Sequence, residues 1–245
     1  MRLVPGGAFR KSPRRGEGAS PEPSEADRRV LVGAFYLAVF PVTNVQFVRF
    51  LSHARPDPEK LATWLPATGR ISTAGPSGYE VESGYERHPV ANVSWLGAEA
   101  YCRWAELRLP TEDEWLKAAG GAEGREFPWG DEWRDWCVQE GDDPEAGPCP
   151  TAPVDAHREG RSPYGLYQMA GNVEEWCAAA SVGPGPDGHL ACGGSCLDRG
   201  PAAFRCAARR VYLDGAAARA CVGFRCACGV LHWERAPDRR RPCLP

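Results

Sequence analysis

No apolar run in this 245-residue chain approaches the length of a membrane span, so bilayer insertion is not expected. The opening residues Met1-Arg2-Leu3-Val4-Pro5 lack the apolar core of a signal peptide. That makes the cytoplasm the default compartment and leaves surface display or phage association open. Positive charge is not in excess either. The formal net charge of −3 removes any bulk electrostatic reason to bind nucleic acid or an anionic membrane. Histidine is scarce: five scattered copies, none spaced to complete a zinc knuckle with the cysteines. His88 accordingly reads as a loop or core residue and not as a ligand. A local scarcity is sharper. The 33 residues from Cys196 to Cys228 contain no Lys, Glu, Gln, Met or Trp, where the chain's own proportions would place about five.

What the chain has in abundance is glycine (28), proline (23) and tryptophan (9). Gly and Pro above usual levels, with so many large aromatics, imply a loop-rich but packed domain and not a disordered one. No repeat and no second domain is visible, so residues 1–245 read as one domain. Cysteine is the complication. There are eleven, seven of them between Cys177 and Cys228, and an odd count leaves at least one thiol free. Disulfides would be unusual in a mesophile's cytosol but not in a thermophile's.

The stretch that organises the rest is Ser162–Trp176, SPYGLYQMAGNVEEW. Pro163, Gly165 and Gly171 shape its backbone too closely for a long helix or a regular strand. Tyr164, Leu166, Tyr167, Met169, Val173 and Trp176 supply enough apolar surface to bury it. Its backbone donors and acceptors then need partners, and Gln168, Asn172 and Glu175 are the local side chains able to serve. Asn172 with Glu174 and Glu175 also offers clustered oxygen ligands, the raw material of a calcium site.

Around this centre the chain reads as short strands and a few helices, an α+β pattern. Leu3–Phe9 reads as a strand with a turn, residues 10–29 as a polar surface loop, and Val30–Phe40 as a β-rich run. Thr43 or Asn44 can cap a helix whose apolar face is Val45, Phe47, Val48 and Leu51. A second helix carries Ala98, Tyr101, Cys102 and Ala105. Thr111 and Glu114 form a capping box. Residues 229–245 read as an Arg/Pro-rich tail.

The motifs Pro41-Val42-Thr43-Asn44, His88-Pro89-Val90, Arg108-Leu109-Pro110-Thr111-Glu112, Phe127-Pro128-Trp129-Gly130, Gly165-Leu166-Tyr167-x-Met169-Ala170-Gly171-Asn172-Val173 and Gly223-Phe224-Arg225 occur in one unbroken order. Together they resemble the formylglycine-generating enzyme and sulfatase-modifying-factor family over about Leu3 to Ala227. The resemblance implies a loop-rich C-type-lectin-like fold with short antiparallel strands and two main helices. In the family's enzymes, two cysteines three and eight residues after Gly-Gly-Ser bind copper and oxidise a substrate cysteine with oxygen. Counting from Ser195, those places hold Asp198 and Ala203, neither of which offers the soft thiolate that cuprous ion favours. Cys196 is one residue past the serine, and a one-residue shift on an extended segment turns a side chain to the opposite face.

By the same resemblance a calcium site would use Gln168, the carbonyls of Gly171 and Val173, and Glu175, with Gln168 where an Asn or Asp is expected. A second family calcium site needs an Asn near Cys137 and Val138, and none is there. Cys102 and Cys226 stand where the family has paired cysteines, so a disulfide is expected between them, or else two buried thiols. Cys206 lacks its counterpart, because Ala119 fills that place, and is expected free and buried. The iron-dependent branch of the family carries a His-rich helical domain ahead of this one, and five scattered histidines argue against that branch.

Diversity-generating retroelement variable proteins share this fold and randomise AAC codons to NNC. NNC encodes none of the five residue types missing from Cys196 to Cys228. The expectation is therefore a non-catalytic display protein that needs no cofactor. Arg205, Arg209, Arg225, Gly193, Gly194 and Gly223 would form a fixed frame. Leu197, Asp198, Arg199, Arg210, Val211, Tyr212, Ala218 and Ala220 would lie on loops and bind an unknown protein or surface ligand. The alternative is an oxidase of the family, or a related sulfur-oxidising enzyme, with a rearranged cysteine site.

Overall fold

A hydroxyl cap starts each of the three longest helices. Thr43 precedes α1 (Asn44–Ala54), Ser94 precedes α3 (Trp95–Trp104) and Thr111 precedes α4 (Glu112–Gly120). Each cap oxygen accepts the N–H three residues on, satisfying a donor that the helix itself leaves open. Gln46 and Glu114 return the bond to the cap N–H, closing two capping boxes. The short α2 (Pro58–Trp64) has Asp57 as cap and proline in its first turn. A fifth helix, α5 (Val230–Arg235), lies in the segment expected to be tail. A computed structural model describes residues 1–11, 28–65, 69–73, 78–138, 150–178, 188–212, 214–216 and 220–235, with the backbone alone at 137, 209–212 and 235.

The strands are β1 (Arg2–Val4), β2 (Gly7–Lys11), β3 (Arg28–Val32), β4 (Phe35–Leu37), β5 (Ile71–Ser72), β6 (Glu80–Val81), β7 (Glu174–Trp176), β8 (His189–Cys192), β9 (Arg209–Tyr212), β10 (Val222–Gly223) and β11 (Ala227–Gly229). They form a three-stranded sheet in the order β1-β4-β11, a four-stranded sheet β10-β7-β8-β9, and the two-stranded pairs β2-β3 and β5-β6. The only parallel contact among these pairs is β10 on β7.

Two boundaries differ from the sequence reading. Arg10, Lys11, Arg28 and Arg29, expected in a surface loop, are strand residues, with Arg10 opposite Arg29 and Lys11 opposite Arg28. Their side chains are polar, but their backbones pair, and Lys11 Nζ reaches Glu112 at 2.9 Å and Asp113 at 2.6 Å in the first turn of α4. The remainder of that stretch, 12–27, lies outside the described residues, as does 236–245 of the tail. The near part of the tail is helical, with the Trp233 ring 5.4 Å from Tyr36.

The four-stranded sheet is covered on both faces. On one side Trp176 and Ala191 join Phe47, Phe50 and Leu51 of α1, Tyr101 of α3, and Phe224. On the other, Cys177, Leu190 and Cys192 join Val4, Phe35 and Leu37, together with Trp115 and Leu116 of α4. Successive strand residues thus alternate between two cores, as the pleat requires. In α1 the expected Val45 and Val48 are only half-buried, while Phe50 is buried: the core-facing set is Phe47, Phe50 and Leu51. Among the described residues no helix is long and apolar enough to cross a membrane.

Candidate functional site

The central loop is coiled by four left-handed residues: Gly165 (φ 74°), Gln168 (55°), Gly171 (77°) and Asn172 (68°). Glycine and asparagine tolerate that region; a glutamine there is uncommon and has to be held. Beneath the loop lies a buried ion pair. Arg225 and Glu175 are both 0% exposed, and the guanidinium forks onto the carboxylate with Nε to Oε2 and Nη2 to Oε1 both at 2.6 Å. Arg225 also donates to the carbonyls of Ala38 (3.1 Å), Val39 (3.3 Å), Tyr167 (2.7 Å) and Gln168 (3.4 Å). Trp115 Nε1 donates to Glu175 Oε2 at 2.8 Å. One arginine therefore ties together the central loop, the chain after β4, and β7. Only Arg, with its five fixed donors, has the inventory for this.

This arrangement bears on the calcium set that the resemblance implies. Glu175 is the one carboxylate in the set Gln168, Gly171, Val173 and Glu175, and its oxygens are taken by Arg225 and Trp115. Gln168 turns its amide N toward Ala156 O at 3.0 Å and Pro153 O at 3.5 Å, leaving Oε1 buried without a hydrogen-bond partner. One neutral amide oxygen and backbone carbonyls beside a buried guanidinium lack the anionic ligands that calcium needs. The set does not fit the ion; the internal arginine already supplies the positive charge. Asn172 is likewise a structural tie, accepting Ala152 N–H at 2.9 Å and donating to Ala152 O at 3.0 Å. His88 is a packing residue as expected, with Nδ1 2.9 Å from Thr151 Oγ1 and its pKa lowered by burial. No cluster of three or more metal-ligating side chains exists among the described residues.

The copper positions fit no better. Asp198 Oδ2 accepts from Ser195 N at 2.8 Å and Ser195 Oγ at 2.9 Å, closing its own loop. Ala203 lies in the 3₁₀ turn Pro201–Phe204. No thiolate stands at either place, so the residues present do not fit a cuprous ion. Cys196 is 0% exposed and its sulfur faces inward, 3.2 Å from that of Cys221.

The frame residues lie where close packing fixes them. A β-carbon on Gly223 would stand 2.4 Å from Val90 O, and one on Gly194 2.7 Å from Ala203 O. On Gly193 it would come 3.1 Å from the Trp115 ring. Arg205 pairs with Glu126 at 2.6 Å and is only partly buried. For Arg209 the backbone alone is described.

The expected display residues divide. Leu197 is 52% exposed, Arg199 and Ala220 are exposed, and Asp198 is half-buried. The contact of Cys196 with Cys221 brings Leu197 and Ala220 into one neighbourhood. Arg210, Val211 and Tyr212, expected on loops, instead form most of β9, the outer strand of the four-stranded sheet, opposite Ala191, Leu190 and His189. Pairing with β8 satisfies backbone groups on one side, which a loop reading leaves unassigned. Their side chains, and Ala218 altogether, lie outside the described residues.

The structure takes the second of the two alternatives for Cys102 and Cys226. Cys102 and Cys226 face each other at 3.5 Å but are free thiols. Cys177 and Cys192 form a similar buried contact at 3.8 Å across β7 and β8. The Cys177 pKa is raised by its bond to Cys192 and by burial. Cys206 is free and buried, as expected, and burial raises its pKa too. A cleft of about 440 Å³ beside α3 is bordered by Trp95, Leu107 and Ala178, and its charged residues pair among themselves or with neighbours: Arg103 with Glu99, Arg108 with Glu114.

The model of the sulfatase-modifying factor enzyme 1-like domain matches residues 1–230. The chain is 33% identical over 249 residues to the serine/threonine-protein kinase pkn1 of Chlamydia caviae, across 94% of this chain and 38% of that protein. It thus spans less than two fifths of that kinase's length. To the formylglycine-generating enzyme of Streptomyces coelicolor it is 35% identical over 214 residues, 71% of this chain and 67% of the other. To the inactive C-alpha-formylglycine-generating enzyme 2 of Bos taurus it is 32% identical over 273 residues, 94% and 88% respectively. Among solved structures, CarF superposes with TM-score 0.66 at 23% identity, covering 94% of this chain and 97% of that one. Treponema denticola variable protein 1 superposes with TM-score 0.64 at 19% identity, covering 94% of each. These structural likenesses, together with the short strands and helices described above, place the fold as α+β and C-type-lectin-like, of the formylglycine-generating-enzyme kind.

Proposed function

Because this chain belongs to the sulfatase-modifying factor enzyme 1-like family, and because its two copper positions are Asp198 and Ala203, we propose that it is a catalytically inert member that binds a ligand through its C-terminal segments. The observation that carries the reading is the Asp198 carboxylate. At one of the places where the family's enzymes need a sulfur ligand, it is spent on hydrogen bonds to Ser195. A loop locked by its own side chain is a support for neighbouring exposed residues, here Leu197 and Arg199. The Bos taurus relative, named inactive, supports loss of chemistry within the family. The Treponema variable protein supports a display role for the same fold. Randomisation of the Cys196–Cys228 window by a retroelement is part of the proposal, resting on the five residue types missing there. The ligand is a protein or a surface and not nucleic acid, since the chain offers no net positive charge.

The test is direct. The protein is incubated with a cysteine-containing sulfatase-type peptide, copper and oxygen, and the peptide is examined for an aldehyde by mass spectrometry. No aldehyde is expected. Turnover that disappears in Cys196→Ala would instead establish an oxidase with a displaced cysteine.

A further inference from the structure

The cleft of about 440 Å³ beside α3 falls in the range of about 300–1,000 Å³ usual for small-molecule sites. Trp95, Leu107, Leu109 and Ala178 give it apolar walls, and Arg103 and Arg108 border it with charge. The fold fixes each wall. Trp95 opens α3; its Nε1 donates to Cys177 O at 2.8 Å and its ring lies 4.3 Å from that of His189. Leu107 N donates to Cys102 O at 2.7 Å, and Ala178 N to Pro110 O at 2.8 Å. Arg108 is bridged to β11 through both of its backbone groups, N to Ala227 O at 3.0 Å and Ala227 N to its carbonyl at 2.7 Å. With its walls tied down in this way the cleft is preformed, and a ligand need not order a loop to enter it.

The Arg108 guanidinium supplies the decisive observation. It carries five N–H groups. Nη1 donates to Glu114 Oε2 at 2.6 Å and to Leu109 O at 3.1 Å, and Nη2 donates to Glu114 Oε1 at 2.6 Å. The Nε–H and the second Nη2–H remain, with no acceptor among the described residues. These two run parallel along one edge of the guanidinium plane. Arg225 uses that same edge, Nε and Nη2, to grip the Glu175 carboxylate. It is the geometry of a two-bond fork to a carboxylate. The Arg108 side chain is 43% exposed and that of Glu114 only 11%, so an incoming anion reaches the cation more readily than its internal partner. Arg103 is engaged by Glu99 at 3.1 Å, one turn back on α3.

We propose that this cleft binds a small aryl carboxylate. The carboxylate forks onto Nε and Nη2 of Arg108, and the aromatic body rests against Trp95, Leu107, Leu109 and Ala178. The anion does not displace Glu114, which holds the other edge. Arg108 therefore fixes orientation and selects for the acid, while burial of the ring supplies most of the affinity. Leu197, Asp198, Arg199 and Ala220 do not border the cleft, so the site stands apart from the display reading.

To test this, ¹⁵N-labelled protein is titrated with naphthalene-2-carboxylate. The Trp95 indole N–H resonance, assigned by its loss in Trp95→Phe, is followed by NMR. A saturable shift is expected, with a dissociation constant of about 1 mM or below. Naphthalene-2-carboxamide has the same shape without the charge and should bind about tenfold more weakly, since charge-assisted forks outweigh neutral bonds. Arg108→Lys keeps a cation beside Glu114 but loses the fork. It should weaken the carboxylate about tenfold and the carboxamide less. Ala178→Leu, which fills the wall, should weaken both ligands. Each variant is first checked for a wild-type melting temperature; if Arg108→Lys does not fold, the comparison of acid with amide on the wild-type protein decides. No Trp95 shift up to about 10 mM carboxylate overturns the proposal. Equal binding of acid and amide, or an unchanged affinity for the acid in folded Arg108→Lys, overturns it as well.

Discussion

Arg225→Ala is expected to destabilise the fold by about 3–5 kcal/mol, because it leaves the Glu175 carboxylate buried without its cation. For a domain of this size that is a fall in melting temperature of roughly 6–20 °C. The ion pair is only part of the account. Arg225 also serves the carbonyls of Ala38, Val39, Tyr167 and Gln168, groups that would otherwise be buried near the central loop with fewer donors. A double variant, Arg225→Met with Glu175→Gln, removes both charges and so separates the two contributions. If the charge pair were all that mattered, the double variant would melt near the wild type, as apolar replacements of buried pairs often do. The carbonyl network predicts that it stays well below, since each orphaned buried acceptor costs about 1–3 kcal/mol. Thermal or urea unfolding of the three proteins distinguishes these outcomes.

The second large effect belongs to Gly223→Ala. The added methyl would sit 2.4 Å from Val90 O and 3.2 Å from Val173 Cγ2. The first of these is backbone and cannot swing away. Val90 is pinned by its own N–H to Val42 O at 2.8 Å, and β10 is pinned by Val93 N–H to Val222 O at 3.3 Å. Relief therefore requires separating two paired segments, with an expected cost of about 1–3 kcal/mol. Gly229→Ala is the control, since nothing lies within 4 Å of its added methyl, and its melting temperature should be unchanged. Equal effects at the two positions would mean that close approach is not what requires glycine at 223.

The parts of the fold legible in the sequence are those set by neighbours along the chain. Thr43 and Thr111 announce their helices because a cap and its third residue are read within one turn. The central loop showed its burial through its own glycines and aromatics. What escaped is what the chain assembles across long separations. Glu175 reads locally as a calcium ligand; only the return of Arg225, fifty positions later, and of Trp115, sixty positions earlier, shows that its oxygens are already taken. Phe50 was missed because Val45 and Val48 fit an apolar stripe equally well, and a stripe does not say where the facing aromatics of α3 lie. Strand β9 was read as loop because a four-residue edge strand has no pattern of its own and depends on β8 for its pairing. Cys102 and Cys226 show the same limit: resemblance placed them together, and the structure does so as adjoining thiols. The lack of cysteine at positions 198 and 203, by contrast, was legible once the family resemblance was in hand, since its motif counts directly from Ser195.

The central claim is that a fixed frame carries a surface free to vary, and one measurement addresses it most directly. Leu197, Arg199, Arg210, Val211, Tyr212 and Ala220 are replaced together by other residues that NNC codons encode, in several independent combinations, and each variant is melted. The account predicts shifts of only a few degrees, because on the display reading all six side chains face solvent, where substitutions usually stay within about 0.5 kcal/mol each. Loss of cooperative unfolding in most combinations would make these residues structural, and the ligand-binding reading would lose its site.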